Sequence, residues 1–489
     1  MTTWQCEVCG YIHTGEKPPV TCPVCDAEQE LFHVLEIHRE SPAPVRADTW
    51  QCGICDHLHQ GTEPPGVCPV CGAKANLFTP RLDSDSPALH PADIRRLVVL
   101  GAGIAGLTAA TEARRQSTEV TITLVSRETP HPYYRLNLTR FLAGEVPEEN
   151  LLMQPPQWFE EQRIDLMTAE ATAIDREQRQ VRLRDGRQLP YDRLVLANGA
   201  HPFIPPIPGA TREGVQVLRT LEDAHTILRR LAHGNRVVCI GGGLLGLETA
   251  GALARRGATV TVVEGFAWLL PRQLTPRAGK LLQQRLEAQG LTVSCGVAVR
   301  ELTGDESVRG VLLENGEELP ADFVVIAAGV RPNSHLARQS GLKVHGGVVV
   351  DDRMFTSDPA ILAAGDVAEH RGRLYGIWPA SFAQGVIAGS NAVGGQAEFS
   401  GTAPSTRIKV LDVDLFSIGQ IQPEDASTKV CEDTRDGAYS ALFSRDGQLA
   451  GAVLYGDTSK AGLLKEVVES GRQISEFPEL VVAFPELAG

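Results

Sequence analysis

The stretch Leu97-Val98-Val99-Leu100-Gly101-Ala102-Gly103-Ile104-Ala105-Gly106 decides the fold of the main body of this 489-residue chain. Its four leading apolar residues predict a buried parallel strand, and the Ala-rich sequence after Gly106 predicts a helix. Glycines at this spacing permit a tight turn, close approach of a pyrophosphate and close contact between strand and helix. The N-terminus of the helix then faces the phosphates. The stretch therefore predicts an α/β domain that binds a dinucleotide.

A second copy of the pattern begins 140 residues later, at Gly241-Gly242-Gly243-Leu244-Leu245-Gly246, after the apolar strand Val237–Ile240. The next predicted strand ends at Glu264, 18 residues after Gly246. A carboxylate there accepts hydrogen bonds from a ribose diol and repels a 2′-phosphate, so the sequence favours NADH over NADPH. One such glycine pattern is weak evidence. Two copies, each between a predicted strand and a predicted helix, strongly indicate two dinucleotide sites.

Residues 96–400 resemble the flavoprotein family with two dinucleotide-binding domains, also called pyridine-nucleotide disulfide oxidoreductases. The resemblance rests on the two fingerprints and on three further turns, at Ala197-Asn198-Gly199, Gly329–Asn333 and Gly365-Asp366. It implies FAD at the first fingerprint, with Asp366 on its ribityl chain, and NADH at the second. The cofactor-binding residues expected from these motifs are Gly101, Ala102, Gly103, Ala105, Gly106, Ala197, Gly199, Asp366, Gly241, Gly243, Gly246, Glu248, Glu264 and Gly329.

The region after the first fingerprint departs from the family pattern in two respects. Ser126 stands where an acid usually holds the FAD ribose, so Glu128 is the expected substitute. The segment Tyr133–Arg140 is similar to the R-P-P-L-S-K-like segment of rubredoxin and ferredoxin reductases. This implies that Arg135 and Arg140 lie near the FAD phosphates and ring; a surface loop with two solvated arginines is the alternative.

The main body has no cysteine between Cys71 and Cys239, where disulfide reductases of the family carry a reactive pair. Dithiol chemistry is therefore not expected, and electrons must leave the flavin by another route. We expect no catalytic side chain, because the cofactors carry the chemistry and the protein positions them.

Eight of the 11 cysteines lie before residue 72, in two copies of C-x2-C-x12-C-x2-C. Thr3-Trp4-Gln5-Cys6 recurs 46 residues later as Thr49-Trp50-Gln51-Cys52, so the segment is a tandem duplication. Four thiolates in a tetrahedron suit zinc or iron, and the spacing alone does not decide between them. The predicted metal ligands are Cys6, Cys9, Cys22, Cys25, Cys52, Cys55, Cys68 and Cys71.

The residues around these cysteines resemble rubredoxin-like domains of the rubrerythrin type. The first copy carries Cys9-Gly10-Tyr11 and Cys22-Pro23-Val24-Cys25, whereas the second has Asp56-His57 in place of Gly10-Tyr11. The resemblance implies one iron per four cysteines and one-electron transfer, more strongly for the first copy than for the second. Structural zinc ribbons remain the alternative.

Charge and hydropathy exclude several functions. The chain has 46 basic and 60 acidic side chains, for a net charge of −14, and residues 1–90 contribute −7 of it. Such acidity argues against a nucleic-acid partner. No uncharged stretch can form a lipid-facing helix, and the N-terminal residues lack the features of a secretory signal, so we expect no membrane association and a cytoplasmic location.

We predict an α/β protein with two Rossmann-like domains, for FAD and for NAD, and a C-terminal α+β domain, preceded by two small metal-binding modules. The third region, in which Ile408–Gly419 is predicted as one strand, resembles the C-terminal domain of rubredoxin reductases and of the flavin part of NADH-dependent nitrite reductases. The predicted domains are rubredoxin-like modules at 1–38 and 49–80, the FAD-binding domain at 96–210 and 331–400, the NAD-binding domain at 211–330 and the C-terminal domain at 401–489.

The predicted function is that of an NADH-dependent reductase of the rubredoxin-NAD+ reductase type. It would pass electrons through FAD to the iron of its own modules and on to a downstream acceptor protein. Diiron flavoproteins, rubrerythrin-type peroxidases and hydroxylases are the acceptor classes that the resemblance implies. The alternative is a reductase of a separate electron-transfer protein, in which the modules are structural zinc ribbons that dock a partner.

Overall fold

A computed structural model describes residues 2–6, 12–20, 29, 32–34, 49–52, 58–60, 65–66, 78–81, 93–402, 405–410, 412–423 and 427–484. Each N-terminal module contains a three-stranded antiparallel sheet with its first strand in the middle. Trp4 pairs with His13 and Trp50 with His59, so the two copies share one register 46 residues apart. The strands are β1 (Thr2–Cys6), β2 (Ile12–Gly15), β3 (Phe32–Val34), β4 (Thr49–Cys52), β5 (Leu58–Gln60) and β6 (Phe78–Arg81).

The first part of the main body supplies four of the five strands of a parallel sheet, one of which contains the predicted strand Leu97–Leu100. Its strands are β7 (Arg96–Leu100), β8 (Thr121–Ser126), β9 (Ile164–Thr168), β10 (Ala171–Asp175), β11 (Gln180–Leu183), β12 (Gln188–Pro190), β13 (Arg193–Leu196) and β14 (Ala200–Pro202). Its helices are α1 (Ile104–Gln116), α2 (Leu138–Ala143) and α3 (Pro156–Glu161). Strands β10 to β12 form a separate antiparallel sheet.

The second part repeats this architecture. Its parallel sheet has the order β15-β22-β16-β17-β18, with a small antiparallel sheet of β19 to β21 on one face. The strands are β15 (Val215–Gln216), β16 (Arg236–Ile240), β17 (Thr259–Glu264), β18 (Thr292–Cys295), β19 (Val299–Gly304), β20 (Val308–Leu313), β21 (Glu318–Pro320), β22 (Phe323–Ile326) and β23 (Val330–Pro332). The helices are α4 (Leu221–Leu231), α5 (Leu244–Arg255), α6 (Pro276–Ala288) and α7 (His335–Gln339).

The chain then returns to the first sheet and completes it. The returning elements are β24 (Val348–Val350), β25 (Ile361–Ala363), β26 (Ala368–His370) and α8 (Trp378–Ala392). Strand β25 pairs in parallel with β13, which gives the order β25-β13-β7-β8-β9. The first domain is therefore discontinuous, with the second domain inserted between β13 and β25. The numerical domain boundaries stay predictions.

The described residues of the C-terminal region form a five-stranded antiparallel sheet of order β27-β28-β31-β30-β29 and two α-helices. Its elements are β27 (Ser405–Val410), β28 (Val413–Gly419), β29 (Lys429–Arg435), β30 (Ala438–Arg445), β31 (Gln448–Tyr455), α9 (Ala461–Ser470) and α10 (Pro478–Ala483). Asp412, with φ of 67°, turns the chain between β27 and β28, so the prediction of one strand over Ile408–Gly419 is wrong.

Both faces of the C-terminal sheet are covered. One face shares a hydrophobic core with α5 and α6 of the second domain, and the other packs against α9 and α10. The Tyr439 hydroxyl lies 2.9 Å from the Thr275 hydroxyl, which also caps α6. Within the part of the chain that the structure describes, no helix combines the length and apolar character needed to cross a bilayer.

Candidate functional site

The first glycine turn has a backbone that excludes side chains at two positions and leaves room at a third. Gly101 has φ of 107°, and a Cβ on it would overlap the Ala197 carbonyl oxygen. A Cβ on Gly106 would overlap the carbonyl oxygen of Gly101, so α1 can approach the strand only with glycine there. Gly103, just before α1, faces open space. That space, at a helix N-terminus, fits a pyrophosphate.

The second glycine turn repeats this geometry. Gly241 has φ of 114°, and a Cβ on it would lie 2.5 Å from the Ala327 carbonyl oxygen. A Cβ on Gly246 would overlap the carbonyl oxygen of Gly241, just as a Cβ on Gly106 would overlap that of Gly101. Gly243 faces open space, as Gly103 does. The chain therefore has two cradles of the same shape, each able to hold one dinucleotide.

Glu264 ends β17 with its carboxylate directed at the second glycine turn. Its side chain is buried, with 8% of the residue exposed. Oε2 accepts a hydrogen bond of 2.7 Å from the Gly242 N–H, and Oε1 accepts one of 2.9 Å from the Phe266 N–H. The acid is thus fixed beside the open space at Gly243, where a ribose diol would donate to it.

The equivalent position of the first domain carries no acid. The Ser126 hydroxyl donates to the Glu128 carbonyl at 2.9 Å and accepts from its N–H at 3.1 Å. The Glu128 carboxylate pairs with Arg135 at 2.6 Å and accepts from the Tyr133 hydroxyl at 2.5 Å. The structure therefore brings together Glu128 and Arg135, two of the predicted FAD residues. Their contact with the cofactor stays a prediction.

Arg219 joins this network and was missed by the sequence analysis. Its carbonyl accepts from the Arg135 guanidinium, and its own guanidinium lies 3.1 Å from Asp366 Oδ2. It stands directly before Thr220, which with Asp223 forms the capping box of α4. Nothing in the sequence around Arg219 marks it, so only its contact with Asp366 in the folded protein reveals its role. Arg219 orients the carboxylate of Asp366.

Two short crossover strands connect the domains close to two predicted residues, Gly199 and Gly329. β14 and β23 pair in antiparallel fashion, directly after Gly199 and Gly329, which have φ of 64° and 107°. The Asn198 amide donates to the Asn333 carbonyl at 2.7 Å, and the Asn333 amide donates to the Asn198 carbonyl at 2.6 Å. The side chains of Asn198 and Asn333 thus link the two crossovers.

Several buried polar atoms in the first dinucleotide-binding domain have no hydrogen-bond partner in the described part of the chain. They include Asn137 Oδ1, Asn198 Oδ1, Trp378 Nε1 and Gln384 Nε2. Gln384 is 1% exposed, and its Oε1 accepts from the Gly365 N–H at 2.8 Å. Buried polar atoms are normally paired, so this set of open donors and acceptors fits a polar cofactor bound between them. Ala102 and Ala105 lie in the same region, with Ala105 packed against Gly365.

Helices α2 and α5 pack together where the two dinucleotide domains meet. Glu248 on α5 accepts a hydrogen bond of 3.2 Å from Thr139 on α2. Burial raises the pKa of Glu248 to about 7. Arg140 on α2 pairs with Glu145 at 3.3 Å and, like Arg135, is less than a quarter exposed on its side chain. Neither arginine is therefore freely solvated in a surface loop, and their role toward FAD stays a prediction.

We expect the raised pKa of Glu248 to make stability depend on pH. Between pH 4.5 and about 7 the unfolded chain releases this proton while the folded protein retains it. The free energy of unfolding therefore falls as the pH rises through this range, by roughly 1–3 kcal/mol at ~1.4 kcal/mol per pKa unit. Glu248→Gln should match the parent at pH 4.5 and be more stable at pH 8 in thermal unfolding. Exposed Glu287→Gln is the control, and an equal Glu248→Gln effect at both pH values would contradict the expectation.

The predicted metal ligands fall largely outside the described residues. Cys6 and Cys52 end β1 and β4 at equivalent positions and pair with Phe32 and Phe78. Cys9, Cys22, Cys25, Cys55, Cys68 and Cys71 lie outside the described residues. The metal sites themselves therefore stay predictions. In the main body, Cys239 is fully buried in β16, and burial raises its pKa to about 12, so it is an unreactive thiol.

Known family models match the main body, the C-terminal region and both N-terminal modules. Residues 95–385 match the model of pyridine nucleotide-disulphide oxidoreductases, and residues 404–472 match the rubredoxin NAD+ reductase C-terminal domain. Residues 4–33 and 50–79 each match the rubrerythrin, rubredoxin-like domain.

Individual relatives agree with these matches. A nitrite reductase [NAD(P)H] of Bacillus subtilis is 37% identical over 80% of this chain and 49% of its own length, so the chain spans about half of that relative. Rubredoxin-NAD(+) reductase of Pseudomonas putida is 36% identical over 57% of this chain and 74% of its own. The structure of NADH:rubredoxin oxidoreductase from Clostridium acetobutylicum aligns with a TM-score of 0.69 and 28% identity, over 79% of this chain and 99% of that one.

The predictions of fold class, family and enzyme class are confirmed by these matches, and the matched domains imply FAD, NADH and iron as the cofactors. The chain therefore belongs to the pyridine nucleotide-disulphide oxidoreductase family of FAD-dependent NAD(P)H oxidoreductases, with a C-terminal domain of the rubredoxin reductase type and two N-terminal rubredoxin-like domains.

Proposed function

We propose that this protein passes electrons from NADH, through FAD, to four-cysteine iron centres in its own two rubredoxin-like modules and then to a separate acceptor protein. The observation that carries the proposal is the presence in one chain of a flavoprotein reductase body and two rubredoxin-like domains. Here the reductase and the electron carrier would be one molecule.

The two glycine cradles take different nucleotides in this proposal. FAD binds at Gly101–Gly106, with the N-terminus of α1 on its pyrophosphate and Asp366 on its ribityl chain. NADH binds at Gly241–Gly246, with its adenosine ribose on Glu264. The different surroundings of the two carboxylates support this division. The carboxylate of Glu264 is directed at the second glycine turn, whereas that of Glu128 accepts from the Tyr133 hydroxyl and pairs with Arg135. When bound, FAD supplies the conversion between a two-electron hydride donor and one-electron acceptors.

The chain's own residues would position the nucleotides and exclude water. Arg219 holds Asp366, and the Asn198–Asn333 pair fixes the crossovers that set the distance between the two cradles. Trp378 and Tyr134 face each other with ring centroids 5.8 Å apart, beside α2 and at the start of α8. This aromatic pair would cover the side of the FAD site from which electrons leave.

The acidic modules are tethered to this body by a short segment. Residues 81–95 are Pro-containing and polar, and fully extended they would span ~50 Å at ~3.3 Å per residue. A tether of this kind raises the effective concentration of the modules at the body to ~mM. Two iron centres would also match the two electrons that one NADH delivers.

The metal content of the purified protein tests the role of the modules. We expect two iron atoms per chain and ferric-thiolate absorption beyond the flavin bands. Cys6→Ser and Cys52→Ser should each remove one iron while the flavin content stays the same. Two zinc atoms per chain without ferric absorption would contradict the proposal and favour zinc ribbons that dock a separate electron-transfer protein.

For the downstream acceptor we propose three classes of protein. A diiron flavoprotein, a rubrerythrin-type peroxidase or a hydroxylase would each accept single electrons from a rubredoxin-like module. The match of about four-fifths of this chain to about half the length of nitrite reductases of Bacillus subtilis and Escherichia coli supports a reductase role but not nitrite as the substrate of this chain.

A further inference from the structure

The end of the first sheet that faces away from its glycine turn carries three arginines, Arg179, Arg193 and Arg353. Arg193 is the first residue of β13 and is 5% exposed. The strand runs from Arg193 toward Ala197, whose carbonyl contacts the first glycine turn. At ~3.3 Å per residue, ~13 Å of strand separates these two positions. Because nucleotides bind at the carboxyl ends of such strands, a role of Arg193 is independent of the FAD site.

Arg193 and Arg353 share one aromatic ring but form no ion pair with the described residues. Their guanidinium carbons lie 5.9 and 5.5 Å from the centroid of the Phe355 ring. In both arginines, Nε is buried and has no hydrogen-bond partner in the described part of the chain. Arg353 donates to the Gly395 carbonyl at 3.1 Å, which satisfies one N–H but neutralises no charge. An aromatic ring attracts a cation only modestly, so it does not replace an acidic partner.

The acids whose charges act on Arg193 are engaged by other arginines. Asp358 pairs with Arg176 at 2.6 Å, and Asp192 pairs with Arg96 at 2.8 Å. Burial lowers the pKa of Arg193, because a guanidinium removed from water is costly in its charged form. A buried charge is normally paired with an opposite charge, so this arrangement is unfavourable unless an anion binds to it.

Two further groups lie beside the arginines. The Asp351 carboxylate accepts from two backbone N–H groups, at 2.8 and 2.9 Å, and burial raises its pKa to about 6. This acid is therefore held by the backbone and not by a guanidinium. Burial also raises the pKa of Tyr191 to about 12, so its hydroxyl stays protonated and can donate to an anion. The charge of Arg179 acts on both Tyr191 and Arg193, which places the three groups close together.

We propose that Arg179, Arg193 and Arg353 bind a small divalent oxoanion of the phosphate class, with the Tyr191 hydroxyl as a further donor. Three cations without an acidic partner favour a dianion over a singly charged carboxylate. Guanidinium groups present paired N–H donors that match the oxygens of a phosphate. The bound anion neutralises the buried charge and joins β13 to the turn that carries Arg353. It takes no part in hydride transfer, because it lies at the opposite end of the sheet from the nucleotides.

Calorimetric titration of the FAD-loaded protein with inorganic phosphate tests the site. NAD+ is kept at saturation so that the second glycine turn does not bind phosphate. We expect one phosphate per chain, with a Kd at least 10-fold higher in Arg193→Met and in Arg353→Met, since hydrogen bonds between charged groups are the strong ones. Arg96→Met is the matched control, because Arg96 begins the neighbouring strand β7 but is paired with Asp192. Its Kd for phosphate should equal that of the parent.

Thermal unfolding separates an anion site from a packing role of Arg193. In chloride, Arg193→Met should be at least as stable as the parent, because it removes a buried charge that has no partner. Phosphate at equal ionic strength should raise the Tm of the parent and of Arg96→Met more than that of Arg193→Met. If Arg193 only packs on Phe355, the substitution lowers the Tm equally in both salts. That result, or the same phosphate Kd in the parent and in Arg193→Met, would overturn the inference.

Discussion

Removal of residues 1–90 is expected to leave a yellow, folded protein that NADH still reduces, but whose reduction of cytochrome c is at least 100-fold slower. The glycine cradles, Asp366 and Arg219 all lie beyond the cut, so flavin binding and oxidation of NADH should persist. Transfer to a one-electron protein should fail because the iron centres are gone. A lost tether alone removes effective concentration, which contributes ~10²–10⁴-fold to linked reactions. Steady-state assays with ferricyanide and with cytochrome c measure the two activities separately.

Two controls separate loss of iron from loss of polypeptide. Cys9→Ser and Cys55→Ser together should slow cytochrome c reduction as much as the deletion does, although the modules remain attached. Residues 1–90 added as a separate, iron-loaded fragment should restore part of the activity in proportion to their concentration. Unchanged cytochrome c reduction after the deletion would place the modules outside the electron path.

Replacement of Glu264 by Arg is expected to lower the ratio of kcat/KM for NADH to that for NADPH at least 100-fold. The buried carboxylate of Glu264 is held by the N–H groups of Gly242 and Phe266 and would accept from the ribose diol. Arg removes this acceptor and presents a cation that attracts a 2′-phosphate. Glu264→Gln keeps an acceptor and removes only the charge, so it should shift the ratio less, by about tenfold.

The unmodified protein supplies the comparison for this prediction. It should use NADH with a much higher kcat/KM than NADPH. Equal values for the two coenzymes would remove the basis for assigning the ribose to Glu264. The flavin content of each variant should match the parent, because Glu264 lies in the second domain and the FAD cradle in the first.

The parts of the fold that sequence predicts best are those in which the backbone itself dictates the residue. Gly101 and Gly106 could be identified because no side chain fits between α1 and the strand, and the same holds for Gly241 and Gly246. Gly101 and Gly241 meet the carbonyl groups of Ala197 and Ala327, far away in the chain, but the glycines of each turn lie within six residues of one another and so leave a spacing in the sequence. The duplication of the modules was equally visible, and the shared register of β1 and β4 agrees with it.

What sequence reasoning missed depends on contacts between distant segments. Arg219 meets Asp366 across 147 residues, and nothing near either one marks the contact. Glu128 was expected on the FAD ribose, but its pairing with Arg135 depends on how the segment before α2 folds back on β8. The turn at Asp412 was missed for a local reason, since the apolar residues on both sides read as one strand and only the positive φ separates them.

Rapid mixing of the iron-loaded protein with NADH, without oxygen, tests the central proposal most directly. The account predicts that absorbance of the flavin band falls first and that ferric-thiolate absorbance then falls in the same molecules. The rate of the second phase should be independent of protein concentration, because donor and acceptor share one chain. Ferric-thiolate absorbance that stays unchanged after the flavin band has bleached, or a second phase whose rate rises in proportion to protein concentration, would contradict electron transfer within the chain.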